Sequence, residues 1–257
     1  EEERPRIESE DGCTLVLTDI PVVESTTDST YSFMFSTMPM GIIITETNVF
    51  TVSLNNAQII EEAVRGTIRN LRPELKTRFV LQLLLRIAAM FLYYLKQIDK
   101  ISSLAEQQLH NAMKNELLMQ LLALEKSLVY FSTSLKANEA TIEKIFRGRV
   151  VKLYDEDQDL LEDVLIEMKQ AIEMASIYTG ILSSMTGSFS SIISNNLNIV
   201  MWRLTIVTII MQIPNMIFGF YGMNTAGLPI PYTWFPSALA VAVTAIAAFI
   251  LLKWKKK

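Results

Sequence analysis

From Leu204 to Leu252 the chain runs 49 residues without an Asp, Glu, Lys, Arg or His. The run is broken once, by Tyr221-Gly222-Met223-Asn224. A helix needs ~20 apolar residues to cross about 30 Å of hydrocarbon. Ile199 to Phe220 is a stretch of 22 residues and Trp234 to Leu252 one of 19. Two bilayer crossings joined by a short turn are therefore predicted, with the turn at the far surface.

The net charge of -4 and the 50% hydrophobic content average over a sharp split. Residues 1 to about 173 carry nearly all the charge and read as an ordinary soluble region. Met174 to Trp202 is again uncharged, Arg203 stands alone at the start of the first span, and Lys253-Trp254-Lys255-Lys256-Lys257 follows the second. Lys and Arg beside spans stay on the cytoplasmic side. Both termini are thus expected in the cytoplasm of a multi-pass protein of the cell (inner) membrane. Tyr221, Tyr232 and Trp234 suit the outer interface, and Trp202 and Trp254 the inner one. The acidic start, Glu1-Glu2-Glu3-Arg4, does not read as a signal peptide, and the lack of an initiator Met reads as a trimmed start. One cysteine, Cys13, fits a reducing compartment. A single histidine, His110, excludes a two-histidine site and reads as an ordinary helix residue. No Gly-rich phosphate loop or nucleophile–base pair is evident, so neither an enzyme nor a nucleic-acid-binding protein is expected.

The pattern predicts an α+β cytoplasmic domain, a long stalk helix and two C-terminal transmembrane helices. Residues 1–70 form a small α/β region. Strands are expected at Cys13–Ile20, Tyr31–Phe35 and Gly41–Leu54, the last folded at Glu46-Thr47-Asn48. Asn55-Asn56 is expected to cap a helix over Ala57–Val64 that stops near Gly66. Residues 71–153 hold helices over about 74–109, opened by Pro73, then 111–136 and 138–147. Glu61-Glu62 reads as solvated. Residues 154–221 form the stalk and first span, 222–233 the external loop, 234–252 the second span and 253–257 a basic tail.

Asp155 is expected to cap the stalk, with Gln158 completing a capping-box pattern. Apolar residues then recur at Leu160, Val164, Met168, Ala171, Ala175, Tyr178, Leu182, Met185, Phe189 and Ile192, one face of a helix. Unbroken from Glu156 to Tyr221, that helix has 66 residues and a length of roughly 100 Å. Gly180 and Gly187 each weaken it by ~1 kcal/mol, so packing must hold it.

In the first span a second periodicity appears. Asn198, Met201, Thr205, Thr208, Gln212, Asn215, Gly219 and Gly222 recur at alternating steps of three and four. This is a bundle seam with polar residues where apolar ones belong. The opposite face holds Ile199, Ile206, Ile210, Ile213, Ile217 and Phe220, suited to lipid or to the second span. The seam can border water, or it can hydrogen-bond to neighbouring helices without any channel. Two spans cannot enclose a pore, so a water-lined seam needs several copies about one axis. Pro214 removes a backbone bond to Ile210 and bends the helix.

The run from Met201-Trp202-Arg203 through Pro214 to Gly219-Phe220-Tyr221-Gly222-Met223-Asn224 resembles the CorA family of magnesium channels, whose signature is Gly-Met-Asn. The second span, the lysine tail, the upstream helix and the N-terminal α/β region are similar in plan. The resemblance implies a funnel-shaped homopentamer whose pore is lined by five copies of the first span, passing Mg2+ with Co2+ or Ni2+ as alternatives. It implies a filter at Gly222, Met223 and Asn224, where neutral amide oxygens accept hydrogen bonds from the ion's retained water shell. Gly222 would allow the tight turn, and Met223 would pack rather than ligate. Asn198, Gln212 and Asn215 fall at polar pore positions. Met201 and Leu204 fall at a hydrophobic constriction. No cofactor is implied beyond Mg2+ as the transported and regulatory ion. Two departures stand out. The loop from Thr225 to Pro231 has no acidic residue, and the neck is rich in Ser and Gly.

The resemblance also implies closure by cytoplasmic Mg2+ bound between subunits. Asp163 falls where one acidic ligand is expected, within the run Asp155, Glu156, Asp157, Asp159, Glu162 and Asp163, with Glu162 or Asp159 as candidate helpers. The run also reads as capping and favourable charge at a helix N-terminus. Two other readings stay open. One is a Zn2+ transporter of the same superfamily, whose signature is Gly-Ile-Asn. The other is a membrane-tethered sensor or scaffold that conducts nothing.

Overall fold

The computed structural model describes residues 3–24, 34–111, 115–148, 154–223, 232 and 234–254. Asp11 and Gly12 both take positive φ, 48° and 78°, as a two-residue hairpin turn requires and as Asp-Gly favours. The turn joins β1 (Arg6–Glu10) to β2 (Cys13–Glu24). β2 pairs antiparallel with β3 (Met34–Ile44), and β3 with β4 (Val49–Ser53), giving the order β1-β2-β3-β4. Then come α1 (Gln58–Val64), α2 (Lys76–Asn111), α3 (Asn115–Gly148), α4 (Asp155–Tyr221) and α5 (Phe235–Trp254).

The chain divides into two compact units, Glu1–Ser188 and Phe189–Lys257. In the first, α2, α3, the early turns of α4 and the sheet share one core. Ile87 and Phe91 of α2, Leu128 and Phe131 of α3, Val164 and Met168 of α4, and Val16 and Met40 of the sheet are all inaccessible to solvent. The rings of Phe91 and Phe131 meet edge to face, 5.1 Å between centroids. The second unit holds the remainder of α4 and α5.

Several elements differ from expectation. β1 is an additional strand, mostly charged, whose only sequence signal is Asp11-Gly12. β3 starts at Met34, and Tyr31 to Phe33 lie outside the described residues. The strand expected at Gly41–Leu54 is the end of β3 plus β4, folded at the expected turn, where Thr45 N–H donates to the Asn48 carbonyl at 2.9 Å. Ala57, not the Asn pair, occupies the α1 cap and makes no side-chain cap bond. α1 ends at Val64 with Arg65 as its C-cap, before Gly66 at φ 69°. α2 starts three residues after Pro73. α4 begins at Asp155 itself, one residue early, with Asp157 N–H donating to Tyr154 C=O at 2.9 Å. Its buried stripe includes Leu161 rather than the half-buried Leu160, and Ile192 is exposed.

The two helices expected over 111–136 and 138–147 are one helix, α3, and the reason is Asn138. This residue is fully buried. Its Nδ2 donates to Asp19 C=O at 2.8 Å, and its Oδ1 accepts from Asp19 N–H at 2.9 Å. Asp19 stands opposite Pro39, which has no N–H, and two residues beyond Leu17, where pairing with β1 ends. The carboxamide therefore exchanges the two bonds that a neighbouring strand would. Ser127 Oγ accepts from Phe35 N–H at 3.1 Å, and Ser134 Oγ donates to Thr37 Oγ1 at 2.9 Å. The polar stripe of α3 thus serves the sheet edge.

Glu62 is likewise not solvated. Arg86 of α2 donates to both of its oxygens, at 2.6 and 2.9 Å, and Gln58 Nε2 adds a third bond at 2.9 Å. Chiefly through the Arg86 bonds, the carboxyl is held below its ordinary range. The fork ties α1 to α2.

Replacing Asn138 by Leu keeps the volume but strands a buried N–H and C=O on Asp19. The expected cost is about 3 kcal/mol of stability for the soluble unit, since each orphaned group costs ~1–3 kcal/mol. Denaturant unfolding followed by circular dichroism checks this, and a loss under ~1 kcal/mol would contradict the strand-mimic role.

Candidate functional site

Among the described residues two helices have the length and apolarity of membrane spans, and burial separates them. Lys76–Gln108 and Glu156–Tyr221 share a peak mean hydropathy of 1.6, but the apolar window is 61% buried in the first and 6% in the second. The α2 window is core. The α4 window turns its apolar side chains outward: Val200, Val207, Met211 and Met216 are all more than half exposed, as are Val241, Ile246 and Phe249 of α5. An exposed apolar surface of this extent marks contact with lipid or protein. α5 has 20 residues, about 30 Å of helix.

The seam lies on the open side of α4. Asn198, Met201, Leu204, Thr205, Thr208, Gln212, Asn215 and Gly219 are all exposed. On the opposite side Ile206 is buried, and Ile210, Ile213 and Ile217 are half-buried. Ile199 and Phe220, expected with that isoleucine face, are exposed at 36% and 52%. At the C-terminal end of α4 the rings of Tyr221 and Phe235 pack 6.1 Å apart, so α5 starts beside the last turn of α4. α4 stays helical through Pro214.

Both seam threonines donate their hydroxyl protons to their own helix. Thr205 Oγ1 bonds Met201 C=O and Thr208 Oγ1 bonds Leu204 C=O, each at 2.9 Å. With the proton committed, each oxygen presents only acceptor lone pairs outward. Such acceptors suit the water shell of a cation, whose protons point away from the ion.

α4 closes at Tyr221 with Gly222 N–H donating to Phe218 C=O at 2.8 Å and Met223 N–H to Phe220 C=O at 3.4 Å. The need for glycine at 222 is space rather than a left-handed backbone: a Cβ there would sit 3.0 Å from the Phe218 carbonyl oxygen. Met223 is 55% exposed. Asn224, the remaining signature residue, and Thr225 to Pro231 lie outside the described residues. Asp163 is exposed on α4 beside the buried Val164. Among the described residues no three His, Cys, Asp or Glu side chains gather into a metal cage. His110 belongs to α2, and its side chain is outside the described set.

Comparison with known proteins gives a consistent relationship. The family model described as "CorA-like Mg2+ transporter protein" matches residues 1–257. The "Cobalt/magnesium transport protein CorA" of Methanocaldococcus jannaschii is 27% identical over 263 residues, 97% of this chain and 79% of that protein. Among solved structures, "The complete structure of CorA magnesium transporter from Methanocaldococcus jannaschii" superposes with a TM-score of 0.80 at 24% identity, over 99% of this chain and 79% of that one. The ZntB cytoplasmic domain from Vibrio parahaemolyticus is a more distant likeness, with a TM-score of 0.56 at 12% identity over 77% of this chain and 75% of that one. The structural likenesses show a shared fold.

Two glycines one turn apart should respond oppositely to alanine. At Gly222 the added methyl group crowds a backbone carbonyl, and overpacking costs about 1 kcal/mol or more. At Gly219 a Cβ meets nothing within 4 Å in the chain, and helix propensity gains up to ~1 kcal/mol. Thermal melting in mild detergent should place Gly222→Ala below wild type and below Gly219→Ala. The reverse order would contradict the crowding at Phe218.

Proposed function

Because the chain belongs to the CorA-like Mg2+ transporter protein family, we propose that it is a passive Mg2+ channel, with Co2+ and Ni2+ as further permeant ions. The observation that carries this reading is the neutral polar seam from Asn198 to Gly219, exposed along a helix whose apolar window is 6% buried. In lipid such a seam needs partners for its amides and hydroxyls. Several copies around one axis supply them through shared water. We take the number as five and the form as a funnel, as the family resemblance implies. α5 is the second span, both termini are cytoplasmic, and the turn after Tyr221 faces outward.

Mg2+ gives up its waters reluctantly and favours octahedral oxygen surroundings. A ring of Asn224 carboxamides at the outer mouth, seated by Gly222 and Met223, accepts hydrogen bonds from the hydrated ion. The acceptor oxygens of Thr208 and Thr205, with the amides of Gln212, Asn215 and Asn198, repeat that contact along the path. No site is charged, so binding stays weak enough for the ion to leave. Met201 and Leu204 form a constriction that closes by excluding water. Asp163, exposed on α4, supplies an inter-subunit ligand for cytoplasmic Mg2+ that favours the closed state, provided the ion binds that state better. The Zn2+ alternative has only the distant ZntB fold likeness behind it, and residue 223 is Met, not the Ile of that signature. A non-conducting scaffold could use the seam for helix–helix hydrogen bonds, but it gives no role to a seam that ends in Gly222-Met223-Asn224.

Replacing Asn224 by Ala removes one amide from every subunit. At about 1 kcal/mol per hydrogen bond, five lost together predict a fall in Mg2+ flux of more than roughly tenfold. Stopped-flow uptake into liposomes with a Mg2+-sensitive dye measures it, and native mass spectrometry confirms that variant and wild type are both pentamers. Wild-type flux through a pentameric variant would remove Asn224 from the mechanism, and a monomeric wild type would defeat the shared pore.

A further inference from the structure

Helical threonines in this chain share one habit. Thr133, Thr141, Thr179, Thr186, Thr205 and Thr208 each donate their hydroxyl proton to the carbonyl four residues back. Thr244 of α5 departs from it. Its Oγ1 is shut off from solvent and has no hydrogen-bond partner among the described residues. A buried hydroxyl left in that state is costly, and in lipid no water relieves it. The same pair of helices holds an acceptor in the matching condition. Pro214 has no N–H to give the Ile210 carbonyl, and its ring crowds that oxygen.

The two groups stand at one depth. α5 starts beside the last turn of α4, where the rings of Tyr221 and Phe235 meet, and both helices contribute to the unit Phe189–Lys257. Ile210 lies 11 residues before Tyr221 and Thr244 nine after Phe235, about 16 and 14 Å along their helices. The Ile210 carbonyl points along α4 toward Tyr221, which narrows the difference. The groups also share a side. Ile206, Ile210, Ile213, Pro214 and Ile217 form the covered face of α4, and Leu239, Ala240, Thr244 and Ala247 that of α5. We propose that the Thr244 hydroxyl is the donor for the Ile210 carbonyl, in a bond that is open in this structure and closes when α4 bends at Pro214. The bend relieves the clash between ring and carbonyl by tilting that oxygen outward on the proline side, and the proline side faces α5. Ser and Thr side chains are among the groups that satisfy carbonyls freed by prolines in membrane helices. The pair is thus a latch between the two helices that holds the bent form. It rests on how α4 and α5 pack within one chain, and not on what crosses the membrane.

A double-mutant cycle tests the latch. All three tryptophans, Trp202, Trp234 and Trp254, lie in this unit. Thermal unfolding of the full chain in mild detergent, followed by tryptophan fluorescence, therefore reads this unit. Thr244→Val deletes the hydroxyl and keeps the shape. It should lower the melting temperature by about 2–4 °C, the shift expected for one interhelical hydrogen bond. Pro214→Ala returns an N–H to the Ile210 carbonyl, so beside it Thr244→Val should lower melting by less than about 1 °C. Thr244→Ser keeps the hydroxyl and should show no such dependence on residue 214. A loss from Thr244→Val beside Pro214→Ala at least as large as with Pro214 present would overturn the latch, because the hydroxyl would then serve its own helix or nothing. The same dependence for Ser as for Val would also overturn it, because methyl packing would account for the coupling.

Discussion

An amide or hydroxyl in hydrocarbon must find a hydrogen-bond partner, and this requirement shapes the C-terminal unit. The isoleucine face of α4 is covered within the chain, with α5 packed beside its last turn. The Asn, Thr and Gln face is left open. The threonines meet half of the demand by bonding their own helix, which leaves acceptors rather than donors pointing outward. The amide side chains of the seam carry donors as well as acceptors. On the proposed placement in lipid, their partners come from water or from another copy of the chain, which leaves a single copy incomplete. That incompleteness links the residue pattern to assembly, and assembly to the proposed conduction.

The need to partner polar groups governs the soluble unit as well. Beyond Leu17 and before Met40 the sheet is only two strands wide, and its prolines, Pro21 and Pro39, sit in that narrow part. A strand with a free edge tolerates proline, and its exposed N–H and C=O groups need cover. Asn138, Ser127 and Ser134 of α3 supply that cover from the middle of an otherwise apolar helix face.

Much of this is legible in the residues, and the exceptions have physical causes. The uncharged run, the stalk periodicity and the polar seam are all period-and-composition signals, and the helices appear where those signals lie. β1 escapes such a reading because Arg-Ile-Glu-Ser-Glu has a charged pattern, while its pairing with β2 and the packing of Ile7 are visible only in the fold. α3 divides in the sequence because Asn138 looks like a helix start when its long-range partner is unknown. Glu62 looks solvated because its partner Arg86 lies 24 residues away. In the candidate site the seam and Gly222 are readable from spacing. The threonine back-bonds and the tight approach of residue 222 to the Phe218 carbonyl are not, since both depend on backbone placement.

The central claim is that one face of the first span borders water and the opposite face does not. Single cysteines placed at 205, 208, 212 and 215, and at 206, 210, 213 and 217, in a chain with Cys13 replaced by Ser, test it most directly. The readout is labelling by a small water-soluble thiol reagent in proteoliposomes. Modification is predicted at the four seam positions and protection at the four isoleucine-face positions. Equal protection of both sets would contradict the claim, because the seam would then be sealed by helix–helix hydrogen bonds and no aqueous path would exist.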